Sequence, residues 1–225
     1  MRDVMGKLGV LFVGIAVLAM GWGTGMSVAE ATQMLPTGGG YDAACLDYGI
    51  EMRDGKQVKS CLLATTGEFP TGDGQRISCN EKYSIAFRAD GRVEYCTLSK
   101  DAALQRTKQD KVECMAGGRV VFYSEGTLEI AKLKKTMQLP YAKNGQVICR
   151  ESGPVTFRAD GRVANCILDQ KSVFINGAEK KTPSTCQSGG LITFDEAGVF
   201  NGCYPPPAAK GAAPKELKPQ GGQTK

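Results

Sequence analysis

The clearest pattern in the chain is a short alternation of apolar and polar residues that recurs along the sequence. Its apolar members are Ile85 and Phe87, Val120 and Phe122, Val155 and Phe157, and Ile192 and Phe194. A period of two is that of a β-strand with one buried face. Asp90-Gly91 and Asp160-Gly161 follow two of these strands, and Asp-Gly before a second apolar alternation is typical of a hairpin turn. The pattern therefore predicts a repeated β-hairpin.

The hairpins belong to an internal repeat marked by cysteines. Residues 87–93 are identical to residues 157–163, and in both copies a cysteine precedes and another follows, seventeen positions apart. The cysteines that keep this spacing, within one residue, are Cys45 and Cys61, Cys79 and Cys96, Cys149 and Cys166, and Cys186 and Cys203. A further unit begins at Cys114, with Ala131 in the place of its second cysteine. The sequence thus contains five units of about 35 residues, a length typical of repeat architectures.

The segments between the hairpins carry apolar residues at fixed distances from the next cysteine. Phe69, Leu104 and Leu139 lie ten residues before it, and Ile77, Val112 and Val147 lie two residues before it. These positions predict one or two further short strands in each unit. Residues 100–109 taken alone resemble a helical turn, but their counterparts in other units favour strand, and the repeat outweighs local propensity.

These features predict an all-β fold in which five hairpin repeats form an open, elongated antiparallel sheet, each packing mainly on its neighbours. The alternative is a small five-bladed β-propeller. Units of about 35 residues are short for a four-stranded blade, which usually needs about 40 or more. The open array is therefore the preferred prediction.

The N-terminus has the features of a secretory signal peptide. Arg2 and Lys7 precede a thirteen-residue apolar run, residues 8–20, and small residues follow up to a cleavage site after Ala29 or Ala31. The alternative, a membrane anchor, would need about 20 apolar residues. We expect a signal peptide over 1–31, a linker over 32–44, the repeats over 45–203 and a disordered tail rich in Pro, Ala, Lys and Gly over 204–225. The mature chain, with no transmembrane segment, would be periplasmic or secreted.

Nine cysteines in an exported chain favour disulfides. Pairing within units joins Cys45 to Cys61, Cys79 to Cys96, Cys149 to Cys166, and Cys186 to Cys203. It leaves one free thiol, Cys114, whereas pairing between units would leave more cysteines alone. Spacing does not fix the map, since eight cysteines allow 105 pairings. The free Cys114 is either a buried, inert thiol or, with Lys132, Lys134 and Lys135 near it in sequence, a reactive thiol or a bridge to a second chain.

The residue inventory provides no catalytic, cofactor or metal signature. The chain has no histidine, which removes the commonest general base and metal ligand. No two cysteines are closer than sixteen residues, so Cys-only zinc spacing is absent. Asp90 and Asp160 could suggest a carboxylate pair, but they occupy the same repeat position and their turn chemistry explains them. The formal net charge of +5 is spread along the chain, which does not favour a nucleic-acid partner.

The Asp-Gly turn followed by an arginine and an apolar residue, as in Asp160-Gly161-Arg162-Val163, resembles the repeats of MORN-type proteins. In that family the units stack into an elongated antiparallel sheet that serves as a binding scaffold. Here the units are longer, contain cysteines and lack the regular aromatic-glycine signature. The resemblance implies an architecture and a binding role more than an activity.

Two functions follow as hypotheses. The first is a non-enzymatic exported scaffold that binds a protein or a cell-envelope polymer, with Arg88, Arg92, Arg158 and Arg162 as surface binding candidates because they flank the turns. The second is a secreted hydrolase with a site in the irregular unit around Cys114. The lack of histidine and the repeat character of the polar candidates favour the first.

Overall fold

The computed structural model describes residues 30–175 and 183–206. In this part of the chain every regular element is a β-strand, and twenty strands form antiparallel hairpins. Ten of them form one sheet, and each unit contributes one hairpin to it. These strands are β3 (Glu51–Arg53), β4 (Gln57–Leu62), β7 (Ser84–Phe87), β8 (Val93–Thr97), β11 (Arg119–Phe122), β12 (Leu128–Lys132), β15 (Pro154–Phe157), β16 (Val163–Ile167), β19 (Leu191–Phe194) and β20 (Phe200–Tyr204).

The other ten strands form five separate two-stranded hairpins, one before each hairpin of the large sheet; we call them the small hairpins. They are β1 (Thr32–Gly38) with β2 (Tyr41–Leu46), β5 (Gly67–Pro70) with β6 (Arg76–Cys79), β9 (Ala102–Thr107) with β10 (Asp110–Cys114), β13 (Met137–Pro140) with β14 (Gln146–Cys149), and β17 (Ser172–Ile175) with β18 (Pro183–Cys186). The predicted further strands are thus confirmed. The segment that resembles a helical turn forms β9.

The ten-stranded sheet is open. Its strand order is β20-β19-β16-β15-β12-β11-β8-β7-β4-β3, so hairpins that follow one another in sequence lie side by side and the two terminal units form opposite edges. The prediction of five hairpin repeats in an open array is confirmed. The propeller alternative is wrong, because short linkers place each hairpin directly against the previous one in a single sheet.

The Asp-Gly turns form three-residue hairpin loops. In the second unit the Gly91 N–H donates to the Arg88 carbonyl oxygen at 3.0 Å, and the Arg88 N–H donates to the Arg92 carbonyl oxygen at 2.8 Å. Gly91 has a φ of 79°, which glycine adopts without steric cost. The Asp90 carboxylate accepts from the Arg92 N–H at 3.1 Å. Aspartate and glycine therefore specify this turn for separate reasons.

The core lies between the large sheet and the small hairpins. Its largest fully buried side chains include Phe87, Phe122 and Phe157, one from each of three units. Disulfides cross this core and join the second strand of each small hairpin to the second strand of the large hairpin that follows. Their Cα atoms are 5.8 to 5.9 Å apart, and the pairs are Cys45–Cys61, Cys79–Cys96, Cys149–Cys166 and Cys186–Cys203. The predicted within-unit pairing is confirmed.

Neighbouring units interlock at their turns. In the first four units, the turn of the small hairpin lies against the large-sheet turn of the next unit, so closely that a Cβ added to the glycine there would overlap backbone or side-chain atoms. The contacts are Gly91 with Gly38, Gly126 with Gly72, Gly161 with Thr107, and Gly198 with Tyr141. Gly55, in the first unit, has no described atom within 4 Å of such a Cβ. Each unit therefore supports the turn of the next one.

The N-terminal boundary differs from the sequence-based expectation. Residues 32–44, expected to be a linker, form β1 and most of β2, with Gly39 and Gly40 in the turn between them. Thr37 is fully buried, and its hydroxyl donates to the Tyr41 carbonyl oxygen at 3.0 Å. Tyr204, placed in the expected tail, ends β20. Most of the expected signal peptide and of the tail lies outside the described residues.

Candidate binding surfaces

Two of the four arginines predicted as binding candidates hold neighbouring units together. They belong to a series in which a side chain at the end of the first strand of a large hairpin donates to a carbonyl oxygen in the next unit. The bonds are Arg53 to Phe87 at 3.0 Å, Arg88 to Phe122 at 2.5 Å, Tyr123 to Phe157 at 2.9 Å, and Arg158 to Phe194 at 2.6 Å. We call this series the inter-unit ladder. Its donors are partly buried, so Arg88 and Arg158 offer little free surface.

Tyr123 takes the arginine position in the third unit, and its hydroxyl stays protonated. Burial raises the pKa of Tyr123, and the nearby Glu129 carboxylate raises it further. A protonated hydroxyl is the form that donates to the Phe157 carbonyl oxygen. In the fifth unit the same position is Asp195, whose carboxylate accepts from the Val199 N–H in its own turn at 2.8 Å. The ladder ends there, because aspartate offers no donor to a following unit.

Arg92 and Arg162 lie nearer the surface but also contact neighbouring turns. Arg92 donates to the Gly72 carbonyl oxygen at 3.1 Å, and Arg162 donates to the Glu196 carbonyl oxygen at 3.2 Å. Arg162 also donates to the Asp160 carboxylate at 2.6 Å. Burial alone would raise the pKa of Asp160, but the hydrogen bonds from Arg162 hold it below its usual value.

Asp90 and Asp160 are not brought together. They lie on turns of the second and fourth units, with the third hairpin between them. Four strand spacings of about 4.8 Å put these turns roughly 19 Å apart. Carboxylate pairs that cleave glycosidic bonds need a separation below about 10 Å. The two residues therefore act as turn residues in this geometry.

Cys114 is free, as predicted, and fully buried. Its thiol donates to the Val112 carbonyl oxygen at 3.5 Å, and burial raises its pKa to about 12. A protonated thiol in the core is a poor nucleophile, since the thiolate is the reactive form. Of the nearby lysines, Lys134 pairs with Asp101 and Lys135 pairs with Glu113, each at 3.0 Å. The thiol has no exposed route to a second chain.

The face of the large sheet that points away from the small hairpins is not covered by any element within residues 30–175 and 183–206. One outward residue from each strand aligns with its neighbour, so that ten residues cross the whole sheet; we call them the central row. The row is Glu51, Ser60, Ala86, Tyr95, Val121, Ile130, Thr156, Asn165, Thr193 and Gly202. Apart from Glu51 at the β3 edge, none of its members is charged.

Apart from Glu51, the charges of this face lie beside the central row. Lys59 and Glu51 form an ion pair of 2.6 Å near the β3 edge. Arg119 lies on β11 two residues before Val121, and its guanidinium is 4.2 Å from the centre of the Tyr95 ring. The Tyr95 and Ser84 hydroxyl oxygens lie 3.2 Å apart. The outer face thus has an uncharged, partly aromatic centre and a polar margin.

The small-hairpin layer contains a cleft of about 560 Å³ between β14 and β17, in the fourth and fifth units. Another concavity, of about 600 Å³, lies among the loops beside β15 and is lined by Arg150, Glu151 and Asp169. In that concavity Thr136 already accepts from the Glu151 N–H and donates to the Asp169 carboxylate, both at 3.2 Å. Its polar groups are therefore partly occupied by the protein itself.

Among the described residues no three histidine, cysteine or carboxylate side chains are grouped so as to hold a metal ion. The same part of the chain contains no helix able to cross a membrane. Comparisons of the chain with protein-family models, with curated proteins and with solved structures find no significant match.

Sequence reasoning did not identify the central row or the cleft. Val121 and Ile130 belong to the hairpin of the third unit, whereas Tyr95 belongs to the second unit and becomes their neighbour only through the pairing of β8 with β11. A signal was present, because each follows or precedes a buried position by one residue and so must face the other side of its strand. The cleft residues gave a weaker signal, the loss of charge at repeat positions that are charged in earlier units.

Proposed function

We propose that this chain is a non-enzymatic, exported repeat scaffold that binds a protein partner through the outer face of its ten-stranded sheet. The observation that supports this most is the central row, which is uncharged across nine neighbouring strands and is not covered by any described element. Contiguous exposed apolar patches mark interaction sites, and Tyr95, Val121 and Ile130 form such a stretch on three neighbouring strands of the row.

The size and chemistry of the face suit a protein better than a small ligand. Nine strand spacings of about 4.8 Å give a width of roughly 43 Å, and three to five residues along each strand give roughly 10 to 17 Å. A protein interface of ordinary size uses about 800 Å² per partner. An uncharged centre containing a tyrosine, with Arg119 and Lys132 beside it, also matches the usual division between interface core and polar rim.

Export to the periplasm or outside the cell belongs to the same proposal. Four intrachain disulfides are compatible with an oxidising compartment. The N-terminal sequence pattern adds the expectation of a signal peptide. The MORN-type resemblance, which implies a binding scaffold, stays a prediction.

The hydrolase alternative has less support. Its named centre, Cys114, is buried and protonated, and the two aspartates of the repeated turns are far apart. Hydrolysis at this unit would need a nucleophile that reaches a surface concavity, which Cys114 does not do.

The test compares partner binding by two charge-bearing variants. Thr156→Lys places a cation in the middle of the central row, whereas Ala103→Lys places the same charge on the exposed face of β9, on the opposite side of the molecule. Partners are captured by cross-linking in the native envelope and secreted fractions, and the contact is then mapped by hydrogen exchange. We expect protection on β8, β11, β12 and β15, with binding lost in T156K and kept in A103K.

Protection confined to the small hairpins, or equal binding by T156K and wild type, would overturn the proposed face. Circular dichroism and thermal unfolding of both variants control for loss of fold. Partner capture alone would not support the proposal unless the mapped contact lies on the central row.

A further inference from the structure

The small hairpins present the same outward positions in every unit, so the repeat itself provides an internal comparison. In the second and third units these positions include four charged residues, Glu68, Arg76, Lys111 and Glu113. In the fourth and fifth units the matching positions are all uncharged, and they are Gln138, Pro140, Gln146, Ile148, Val173, Ile175, Pro183 and Thr185. These outward positions of the small hairpins therefore lack charged residues only in the fourth and fifth units, at one end of the layer.

The cleft between β14 and β17 lies at this uncharged end. Gln138, Gln146 and Gln170 line it, and their side-chain amides have no hydrogen-bond partner among the described residues. Tyr141 and Ser172 add two hydroxyl groups, of which the Ser172 hydroxyl already donates to the Gln170 carbonyl oxygen at 3.2 Å and remains an acceptor. Within residues 30–175 and 183–206, no charged residue is part of the lining. The cleft therefore offers several groups that each donate and accept hydrogen bonds.

The apolar residues of the cleft form an open ledge rather than a closed pocket. Val173 and Ile175 are 63% and 65% exposed, while Phe174 between them points into the core. Phe174 and Tyr141 pack with Phe194 and hold this part of the layer in place, with the Tyr141 and Phe194 rings stacked at 4.0 Å. The ledge can contact a flat apolar surface, but its exposed side chains do not enclose an apolar group.

We propose that this cleft binds an uncharged oligosaccharide. Sugar hydroxyls both donate and accept, as the amides and hydroxyls of the cleft do, and the C–H face of a sugar ring can lie on the Val173 and Ile175 ledge. A volume of about 560 Å³ is in the usual range for small-ligand sites. The described lining offers no ionic partner to a charged ligand, and burying a charge without one is unfavourable.

An extended peptide is the less favoured occupant. Peptide anchors are usually apolar or aromatic side chains in enclosed pockets. Here Val173 and Ile175 are exposed, while the buried apolar residues of the lining, Val147 and Phe174, belong to the packed core. The site lies on the opposite layer from the central row. The proposal of a sugar site can therefore be tested independently of the proposed protein partner.

Titration calorimetry and NMR chemical-shift mapping on the full chain test this inference. The probes are three neutral tetrasaccharides, cellotetraose, mannotetraose and N-acetylchitotetraose, with tetragalacturonate as the charged comparison and a neutral Thr-Val repeat heptapeptide as the peptide comparison. We expect at least one neutral sugar to bind with a Kd below about 1 mM. The shifts should centre on residues 138–148 and 170–175, and tetragalacturonate should not bind.

Gln138→Glu should weaken that sugar at least about tenfold, because a carboxylate loses the donor of the amide and adds a charge that must be desolvated. The matched control is Glu68→Gln at the equivalent position of the second unit, which should leave the Kd unchanged. Three results would overturn the proposal: no binding by any of the three neutral sugars, equal binding by Q138E and wild type, or binding of the heptapeptide in the cleft without sugar binding. Thermal unfolding of Q138E checks that it is folded.

Discussion

Some residues that the sequence places on the surface instead form hydrogen bonds between neighbouring units. Arg88 flanks a turn and would be expected in solvent, yet its guanidinium donates to the Phe122 carbonyl oxygen of the next unit. The carbonyl oxygens at the ends of the large strands would otherwise lack a partner at the bulge that follows. A side chain long enough to cross one unit spacing satisfies them.

Tyr123→Phe tests this role without changing size or charge. It removes the hydroxyl that donates to the Phe157 carbonyl oxygen, and we expect the free energy of unfolding to fall by about 0.5 to 1.5 kcal/mol. Tyr83→Phe is the control, because Tyr83 is 50% exposed and its hydroxyl has no partner within the described residues; it should change stability by less than about 0.5 kcal/mol. Chemical denaturation measures both. Equal values for the two variants would contradict the ladder.

At the scale of elements, the hairpin turn joins units as well as strands. The glycine of each large turn has a positive φ, and in the second to fifth units it also lies against the preceding small hairpin. In the first turn both Asp54 and Gly55 have positive φ, 52° and 64°, and Gly55 has no such neighbour. A comparison of the turns therefore separates two requirements for glycine, the positive φ and the close contact with the preceding small hairpin.

Gly126→Ala and Gly55→Ala measure these two reasons. Both place a Cβ on a residue with positive φ, 89° and 64°, which costs about 1 to 2 kcal/mol. At Gly126 the added Cβ would also overlap the backbone of Gly72 and Asp73, and we expect a further loss of about 1 to 3 kcal/mol. Equilibrium denaturation of the two variants gives the comparison. If G126A lost no more stability than G55A, the turn contact would not hold the units together.

At the scale of the whole molecule, a disulfide crosses the core in each unit except the third, in the middle of the array. There Cys114 and Ala131 occupy the two bridge positions and both are buried. The two edge strands of the sheet differ from the inner strands. At one edge β3 has only three residues, two of them charged, and at the other edge Pro205 and Pro206 follow β20. Short, charged or proline-flanked edges oppose the addition of another strand.

Ala131→Cys should complete the missing disulfide. Residue 131 occupies the position of the second bridging cysteine, whose Cα in the other four units lies 5.8 to 5.9 Å from the Cα of the first. A bridge closing a loop of this size should raise the free energy of unfolding by about 3 kcal/mol. Alkylation after denaturation without reduction should label Cys114 alone in wild type and no cysteine in A131C. Ala131→Ser is the control for the change of side chain, and two labelled thiols in A131C would contradict the expected geometry.

The sequence predicted the strands, turns and disulfides well because each depends on local chemistry or on repeat spacing. Asp90-Gly91 specifies its turn within a few residues. The separation of seventeen positions between paired cysteines is set by the length of one hairpin. The segment 32–44 was misread because its glycines suggest a linker, while the partner that buries Thr37 lies elsewhere in the chain. Arg88 and Arg158 were placed on the surface for the same reason: their acceptors are 34 and 36 residues away.

The amino-acid sequence alone was enough to predict the repeat and its all-β character and to favour one pairing of eight cysteines, because periodicity, turn residues and spacing act over short distances. Which residues become neighbours across units follows only from the three-dimensional packing of the units. Tyr95, Val121 and Ile130 form part of one row, and Gln146 and Val173 face one cleft, only because strand pairing and layer packing bring distant segments together. Binding surfaces of a repeat protein arise from this second level, since no single unit contains enough surface to form one.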